Sequence, residues 1–384
     1  MTNVTKVGIA GTGLIGKGLA LEVEKQPELK LSKVLTRRDI STIRDYPFPD
    51  ALTNSVDDLI WDCDLVVECS GDVIYGTEVI DKVMKASTPV ITMNAELQVT
   101  TGSYFAKRGF ITEAEGDQPG CLASLHENVV QMGFKPLVYG NIKGFLKLDP
   151  NIEDMKYFSK KNGVRLDMTT SFTDGTKVQI EQALVANGLG AGIAIDGLLA
   201  PTSNDLNEAG EALAEEANQL GYPICEFVLA PKAPPGVFIT AEHDSRQKDA
   251  LRYYKMGNGP YYTILQNYHL CHLEIMKTIK RVINGGGVLL NNGENPTVSV
   301  AAIAKRTLQP GEKIEKGIGS FQVRGEAVKI AANNGHVPIG LLVNAVMKRE
   351  VPKGEMITFY DVELPKSLAL SAWLETAGKA SINI

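Results

Sequence analysis

Short apolar runs alternate with amphipathic stretches through the first third of the chain. Val4–Ala10, Leu31–Leu35, the DLVVECSG run Asp64–Gly71, Pro89–Thr92 and Gly109–Thr112 each read as a buried strand. They are too short for helices and are bounded by Gly, Pro or charged residues. KGLALEVE, from Lys17 to Glu24, reads as the helix between the first two. Such alternation predicts an α/β domain with a doubly wound parallel sheet.

The middle of the chain changes character. Leu137–Lys147 reads as a strand running into a glycine-bearing loop with Lys143, and Asn151–Gly163 (NIEDMKYFSKKNG) as a polar helix. SFTDGTKVQIEQALVANGLG follows, from Ser171 to Gly190. At about 100° per residue, Lys177 lies about 300° and Glu181 about 340° round from Asp174, so a helix would put all three on one face. One reading is a surface ion-pair stripe with Asp174 as the helix cap. The other is a catalytic face. Apolar residues fall on every side of the stretch, which predicts burial, and buried charges are paired or used. That favours the site.

Composition narrows the field. At 384 residues the chain is too long for one ordinary core, so two or three domains are expected. A net charge of −6 argues against general nucleic-acid binding. No apolar run approaches the ~20 residues that span a bilayer, and the N-terminus lacks the pattern of a secretory leader. Cys63, Cys69, Cys121, Cys225 and Cys271 show no metal-ligand spacing, and reduced thiols in a cytoplasmic protein are the expectation.

The first strand runs into Gly11-Thr-Gly13-Leu14-Ile15-Gly16 and then a helix, the context in which GxGxxG marks a dinucleotide site. Gly11 serves the tight turn, Gly13 the approach of the pyrophosphate, and Gly16 the packing of helix on strand. After the second strand, where an acid would bind the ribose of NAD, stand Thr36, Arg37 and Arg38. Two guanidiniums suit a 2′-phosphate, so NADP is preferred; NAD stays open, with Asp39 serving the ribose. Ser70, Gly71 and Asn94 are expected toward the nicotinamide. Glu113–Gly120 is an acidic loop at the end of a strand, read equally as a ligand cover or a helix cap. His269, His272 and Glu274 lack the HExxH arrangement, which makes a metal reading weak; His269 is kept as a site candidate.

The segments GIAGTGLIGKG, VITMNAE, AEGDQPG, GNIKGF, TSFTDGTK…E…ANGLG, PPGVFIT and GNGPYYTILQNYHL span roughly Lys6 to Leu290. Their order resembles homoserine-dehydrogenase-like oxidoreductases with a C-terminal sialic-acid-synthase/antifreeze-like (SAF) domain. AIAKRTLQPGEKIEKG and LLVNAVMKREVPKGEMITFYDVEL, within roughly Thr297–Leu364, carry the SAF part. GNIKGF and TSFTDGTK…EQALVANGLG are most similar to the deoxyxylulose-phosphate-reductoisomerase-like (DRL) enzymes. Two positions depart from the group. Homoserine dehydrogenases carry Lys directly after the Asn that is Asn94 here; this chain has Ala95 and then Glu96, which speaks against amino-acid aldehyde reduction. Gln118 stands where the group's loop has an acid.

The resemblance implies a Rossmann domain over 1–145, a central α/β substrate and dimerisation domain over 146–290 and an SAF-like domain over 297–384, and the Gly- and Asn-rich stretch Asn284–Pro296 reads as the linker. It implies NADPH-dependent conversion of 1-deoxy-D-xylulose 5-phosphate to 2-C-methyl-D-erythritol 4-phosphate, in isoprenoid precursor synthesis. The alternatives are a dehydrogenase, reductase or oxidoisomerase of another sugar phosphate or sugar acid, and a non-catalytic cofactor sensor. Lys177 or Lys143 would donate the proton. Asp174 and Glu181 would orient hydroxyls or hold Mg or Mn, with Glu96, Glu115 and Asp117 as further candidates. Lys143, Lys177, Arg246 or Lys255 would bind a phosphate. A homodimer or homotetramer acting on a small molecule is expected, with no nucleic acid and no membrane.

Overall fold

The computed structural model describes residues 4–378. Contacts within the chain define two compact units, each assembled from separated stretches.

The first unit holds the described residues up to 120, then 269–294 and from 367 onward. Its sheet contains β1 (Thr5–Ala10), β2 (Leu29–Leu35), β3 (Leu52–Thr53), β4 (Leu65–Glu68), β5 (Val90–Thr92) and β6 (Ile111–Glu113). The order is β3-β2-β1-β4-β5-β6, all parallel, as expected for a doubly wound sheet. The helices Leu14–Val23 and Val73–Lys85 follow β1 and β4. One side of the core gathers Val7, Ile9, Leu19, Val67 and Ile91, and the helix Ile275–Ile283 adds Ile275, Met276 and Ile279. The helix Leu368–Thr376 brings a buried Trp373, and its Glu375 pairs with Arg108.

Two expectations change here. Residues 269–290, read with the central domain, pack in the first unit. Residues 284–296, read as a linker, are anchored: Glu113 N donates to Leu290 O at 2.6 Å, and Leu289, Leu290 and Asn292 are buried. Gly and Asn marked turns correctly, but the adjacent leucines lose water-exposed apolar area against β6.

The second unit holds 121–268 and 295–366. β7 (Lys135–Lys143), β8 (Ile224–Leu229), β9 (Gly236–Glu242) and β10 (Tyr261–Gln266) form a mixed sheet in the order β10-β9-β7-β8. The helix Leu206–Leu220 packs Ala209, Leu213 and Ala217 on it. β-rich structure ends the unit: β11 (Val298–Ala304) pairs with β13 (Val323–Lys329), and β12 (Lys313–Lys316), β14 (Val343–Met347) and β15 (Val362–Glu363) form a three-stranded sheet.

The Ser171–Gly190 stretch is two helices, not one. Leu166–Thr173 ends at Asp174, Gly175 turns at φ +85°, and Thr176–Gly188 begins anew. Every residue from Thr176 to Ala186 is buried. Gln182 Nε2 donates to Tyr139 O on β7 and to Glu226 O on β8. On other faces Gly325 N donates to Thr176 Oγ1 and Ala327 N to Gln179 Oε1, both from β13. The helix is enclosed by sheet on one side and β-rich structure on another, which explains its lack of a polar face.

Candidate active site

The glycine loop follows β1. Gly11 takes φ +131°, which an L side chain rarely adopts, and a Cβ on Gly16 would stand 2.0 Å from Gly11 O. Around Gly13 a Cβ would meet nothing within 4 Å, so open space lies over that backbone. Leu14 and Ile15 open the helix, and Leu14 is largely exposed. That helix has no side-chain cap and no acid in its first turn, leaving its N–H groups toward the open space. Such an end suits a pyrophosphate. The loop therefore fits a dinucleotide.

At the end of β2, Thr36 is buried and its hydroxyl lies 3.1 Å from that of Thr12, within the glycine loop. Arg38 Nη2 donates to Thr12 Oγ1 at 2.8 Å, which brings one guanidinium to the loop. Arg37 pairs with Asp72 at 2.9 Å and lies over the Tyr75 ring. Asp39, the ribose alternative, is turned to its own turn: its Oδ1 accepts from Ser41 N and Ser41 Oγ, which holds its pKa below the ordinary value.

At the carboxyl ends of β4 and β5, Glu68 is a site candidate the sequence reading missed. It is fully buried and accepts from Ser70 N at 2.8 Å, from Ser70 Oγ and from Thr92 Oγ1. Burial raises its pKa against those bonds. Ser70 is held by this carboxylate, and a Cβ on Gly71 would meet nothing within 4 Å. Asn94 Oδ1 accepts from Leu97 N, and its buried side chain also bonds to Glu68, which ties the end of β5 to that carboxylate. His269 lies in the same unit, with its Nε2 3.4 Å from Gln118 Nε2.

In the second unit three of the expected catalytic residues meet. Glu181 is buried; its Oε2 accepts from Lys143 Nζ at 3.3 Å, and its Oε1 lies 4.0 Å from Lys177 Nζ. The lysine side chains keep 18% and 10% exposure, so they touch solvent while the carboxylate does not. Asn141, also missed, donates Nδ2 to Glu181 Oε2 at 2.8 Å, and its Oδ1 is buried without a partner. A polar residue inside an otherwise apolar strand was the available signal.

Asp174 is not part of this set, contrary to the one-face expectation. Its Oδ2 accepts from Lys305 Nζ at 2.6 Å and its Oδ1 from Thr176 N. The reason is the break at Gly175, which takes Asp174 off the helix that carries Lys177. As metal donors Asp174 and Glu181 do not fit: one carboxylate holds an ammonium and the other faces two. Among the described residues no three His, Cys, Asp or Glu side chains group as a metal site. Arg246 is turned to Asp244, which leaves it off the lysine cluster as well.

The first unit holds a nucleotide-type glycine loop, and the family comparisons show an NAD(P)-dependent oxidoreductase. Residues 11–106 match the NAD-binding domain of homoserine dehydrogenase. Residues 116–275 match the catalytic domain of oxidoreductase DRL. Among solved structures it is similar to a probable dehydrogenase from Thermotoga maritima, at 12% identity over 75% of this chain and 91% of that one, with a TM-score of 0.43. It is also similar to scyllo-inositol dehydrogenase from Lactobacillus casei, at 13% identity over 76% and 92%, with a TM-score of 0.42. A third is UDP-N-acetylglucosamine 3-dehydrogenase from Acidithiobacillus ferrooxidans, at 11% over 75% and 92%, with a TM-score of 0.43. No curated protein matches the sequence. Among the described residues no helix is long and apolar enough to cross a membrane.

Proposed function

We propose that the chain reduces, or in reverse oxidises, an anionic hydroxylated small molecule such as a sugar phosphate or sugar acid. The observation that carries this reading is Glu181 held by Asn141 and shared by Lys143 and Lys177. When bound, the nicotinamide supplies or accepts the hydride. An alkoxide forming on the substrate needs a proton donor in reach, and the Lys177 ammonium serves. Lys143 then holds the substrate's anionic group as a point charge. Glu181 keeps both ammonium groups directed, and Asn141 Oδ1 accepts a substrate hydroxyl. Arg38 beside Thr12 supports NADP over NAD, with the guanidinium taking the 2′-phosphate. The β-rich stretch of 297–364 is proposed to be SAF-like, and the assembly a homodimer or homotetramer.

A second reading is the reductoisomerase acting on deoxyxylulose phosphate. It is favoured by the match to the DRL catalytic domain. Such a rearrangement calls for a divalent cation on two neighbouring oxygens. Asp174 and Glu181 do not supply that donor set, so no metal step is derived.

The test is turnover of NADPH and NADH over a panel of sugar phosphates, sugar acids and neutral polyols, with EDTA or Mg2+, and NMR of the products. Reduction of an anionic sugar that survives EDTA is expected. Turnover of neutral polyols alone would overturn the first reading. Metal-dependent formation of methylerythritol phosphate would establish the second.

A further inference from the structure

We propose that Lys305, from the C-terminal β-rich stretch, is a positioning residue for the chemistry at Lys177 and Glu181. The inference rests on the function proposed for that cluster. Lys305 Nζ donates to Asp174 Oδ2 and to Ser320 O, both at 2.6 Å. The Lys305 side chain is 4% exposed and Asp174 fully buried, so the pair is shut away from water.

Asp174 in turn sets the start of the catalytic helix. Its free oxygen accepts from Thr176 N at 2.9 Å, the first N–H of Thr176–Gly188. Gly175, the residue between, has no side chain to cap the helix, and the first turn holds no acid. Asp174 therefore does the capping from one position back. Lys177 is the next residue along, and Glu181 follows one turn later.

A buried carboxylate deprived of its cation is costly. Without Lys305, Asp174 would be left a buried carboxylate with no cation beside it, its hold on Thr176 N would loosen, and the first helical turn would lose its anchor. Gly325 N and Ala327 N, both on β13, bond to Thr176 and Gln179 and hold the other side of the same turn. The β-rich stretch thus grips the helix at three points beside the lysine. A displacement of about 1 Å at a catalytic group can cost about 10²-fold in rate.

The test uses Lys305→Met, Lys305→Arg and Asp174→Asn in the full chain, with two readouts. The first is steady-state kinetics with NADPH and the best sugar phosphate from the panel. Lys305→Met should lower kcat about 10–100-fold with the KM for NADPH within about twofold, and Lys305→Arg should recover most of it. The second needs no turnover: pyridoxal 5′-phosphate and borohydride trapping of Lys177, read by peptide mass spectrometry against exposed Lys25. Lys177 trapping should change at least about fivefold in Lys305→Met, with Lys25 unchanged. Should Lys305→Met fold poorly, Asp174→Asn, which keeps the side-chain size, must give the same change in trapping. Unchanged trapping and unchanged kcat in folded variants would overturn the proposal, as would losses that merely track the folded fraction. If no sugar phosphate is turned over but Lys177 trapping depends on Lys305, the positioning stands and the proposed substrate falls.

Discussion

Lys143 Nζ and Asn141 Nδ2 donate to the same oxygen of Glu181, at 3.3 and 2.8 Å. Asn141 and Lys143 are two residues apart on β7, so their side chains leave the same face of the strand toward the helix. Strand and helix are each rigid, and the carboxylate between them is fixed from both sides. The second oxygen is left facing Lys177.

That arrangement allows the roles proposed for the two lysines to be tested apart. Lys177→Ala is expected to lower kcat by about 10²–10⁴-fold and leave the KM for NADPH unchanged. Lys143→Ala should chiefly raise the KM for the anionic substrate. Full kcat in Lys177→Ala would place the proton donor elsewhere.

Two glycines of one loop should fail differently. Gly16→Ala places a methyl 2.0 Å from Gly11 O, an overpacking that should cost about 1–3 kcal/mol and lower Tm. Gly13→Ala meets only open space, at an ordinary φ of −74°, and should leave Tm unchanged. Its methyl would stand where the pyrophosphate approaches, so the Kd for NADPH should rise at least about tenfold. Thermal melts and fluorescence titration would check both; an unaltered Kd in Gly13→Ala would mean the dinucleotide sits elsewhere.

On the proposed NADP reading, cofactor choice turns on Arg38. Removing a charge-assisted bond to a phosphate costs about 1.5–3 kcal/mol, so Arg38→Ala should reduce kcat/KM for NADPH tenfold or more and leave that for NADH within about twofold. Equal losses with both cofactors would assign Arg38 to shaping the loop through Thr12.

A pH dependence of stability should come from Glu226. This buried carboxylate on β8 accepts from Leu199 N and Ala200 N, and burial raises its pKa from 4.5 to about 7 against those bonds. Between pH 4.5 and about 7 the folded state holds a proton that the unfolded state has lost. The resulting stability is fully present below pH 4.5 and fades as pH rises through about 7. Glu226→Gln keeps an acceptor and removes the titration. Its Tm relative to the wild-type chain should therefore be higher at pH 8 than at pH 5, by the equivalent of about 3 kcal/mol. A pH-independent difference would show that Glu226 does not carry the effect.

Much of the fold was legible because its signals are local. Asn151 and Gly163, the ends of the polar helix read from the sequence, are its N-cap and left-handed C-cap. The glycine loop and the short apolar strands were likewise readable. Lys177, Glu181 and Lys143, which the structure brings together, stood out as candidates because charge in an apolar stretch is conspicuous. Asn141 and Glu68 were not, since an Asn or Glu inside a strand gives no hint of which carboxylate or hydroxyl it will meet. Asp174 was misplaced because periodicity assumes an unbroken helix, and the Gly175 turn shifts what precedes it.

The amino-acid order alone determined the parallel α/β architecture, the dinucleotide loop and the burial of the helix with Lys177, because each follows from spacing, turn chemistry and hydrophobic period over a few residues. Only the tertiary structure decided the pairings. Glu181 draws on Lys143 from 38 residues away, and Asp174 on Lys305 from 131. Such pairs are chosen when burial strips water from a charge and the nearest compatible group must take its place, and which group is nearest is settled by packing.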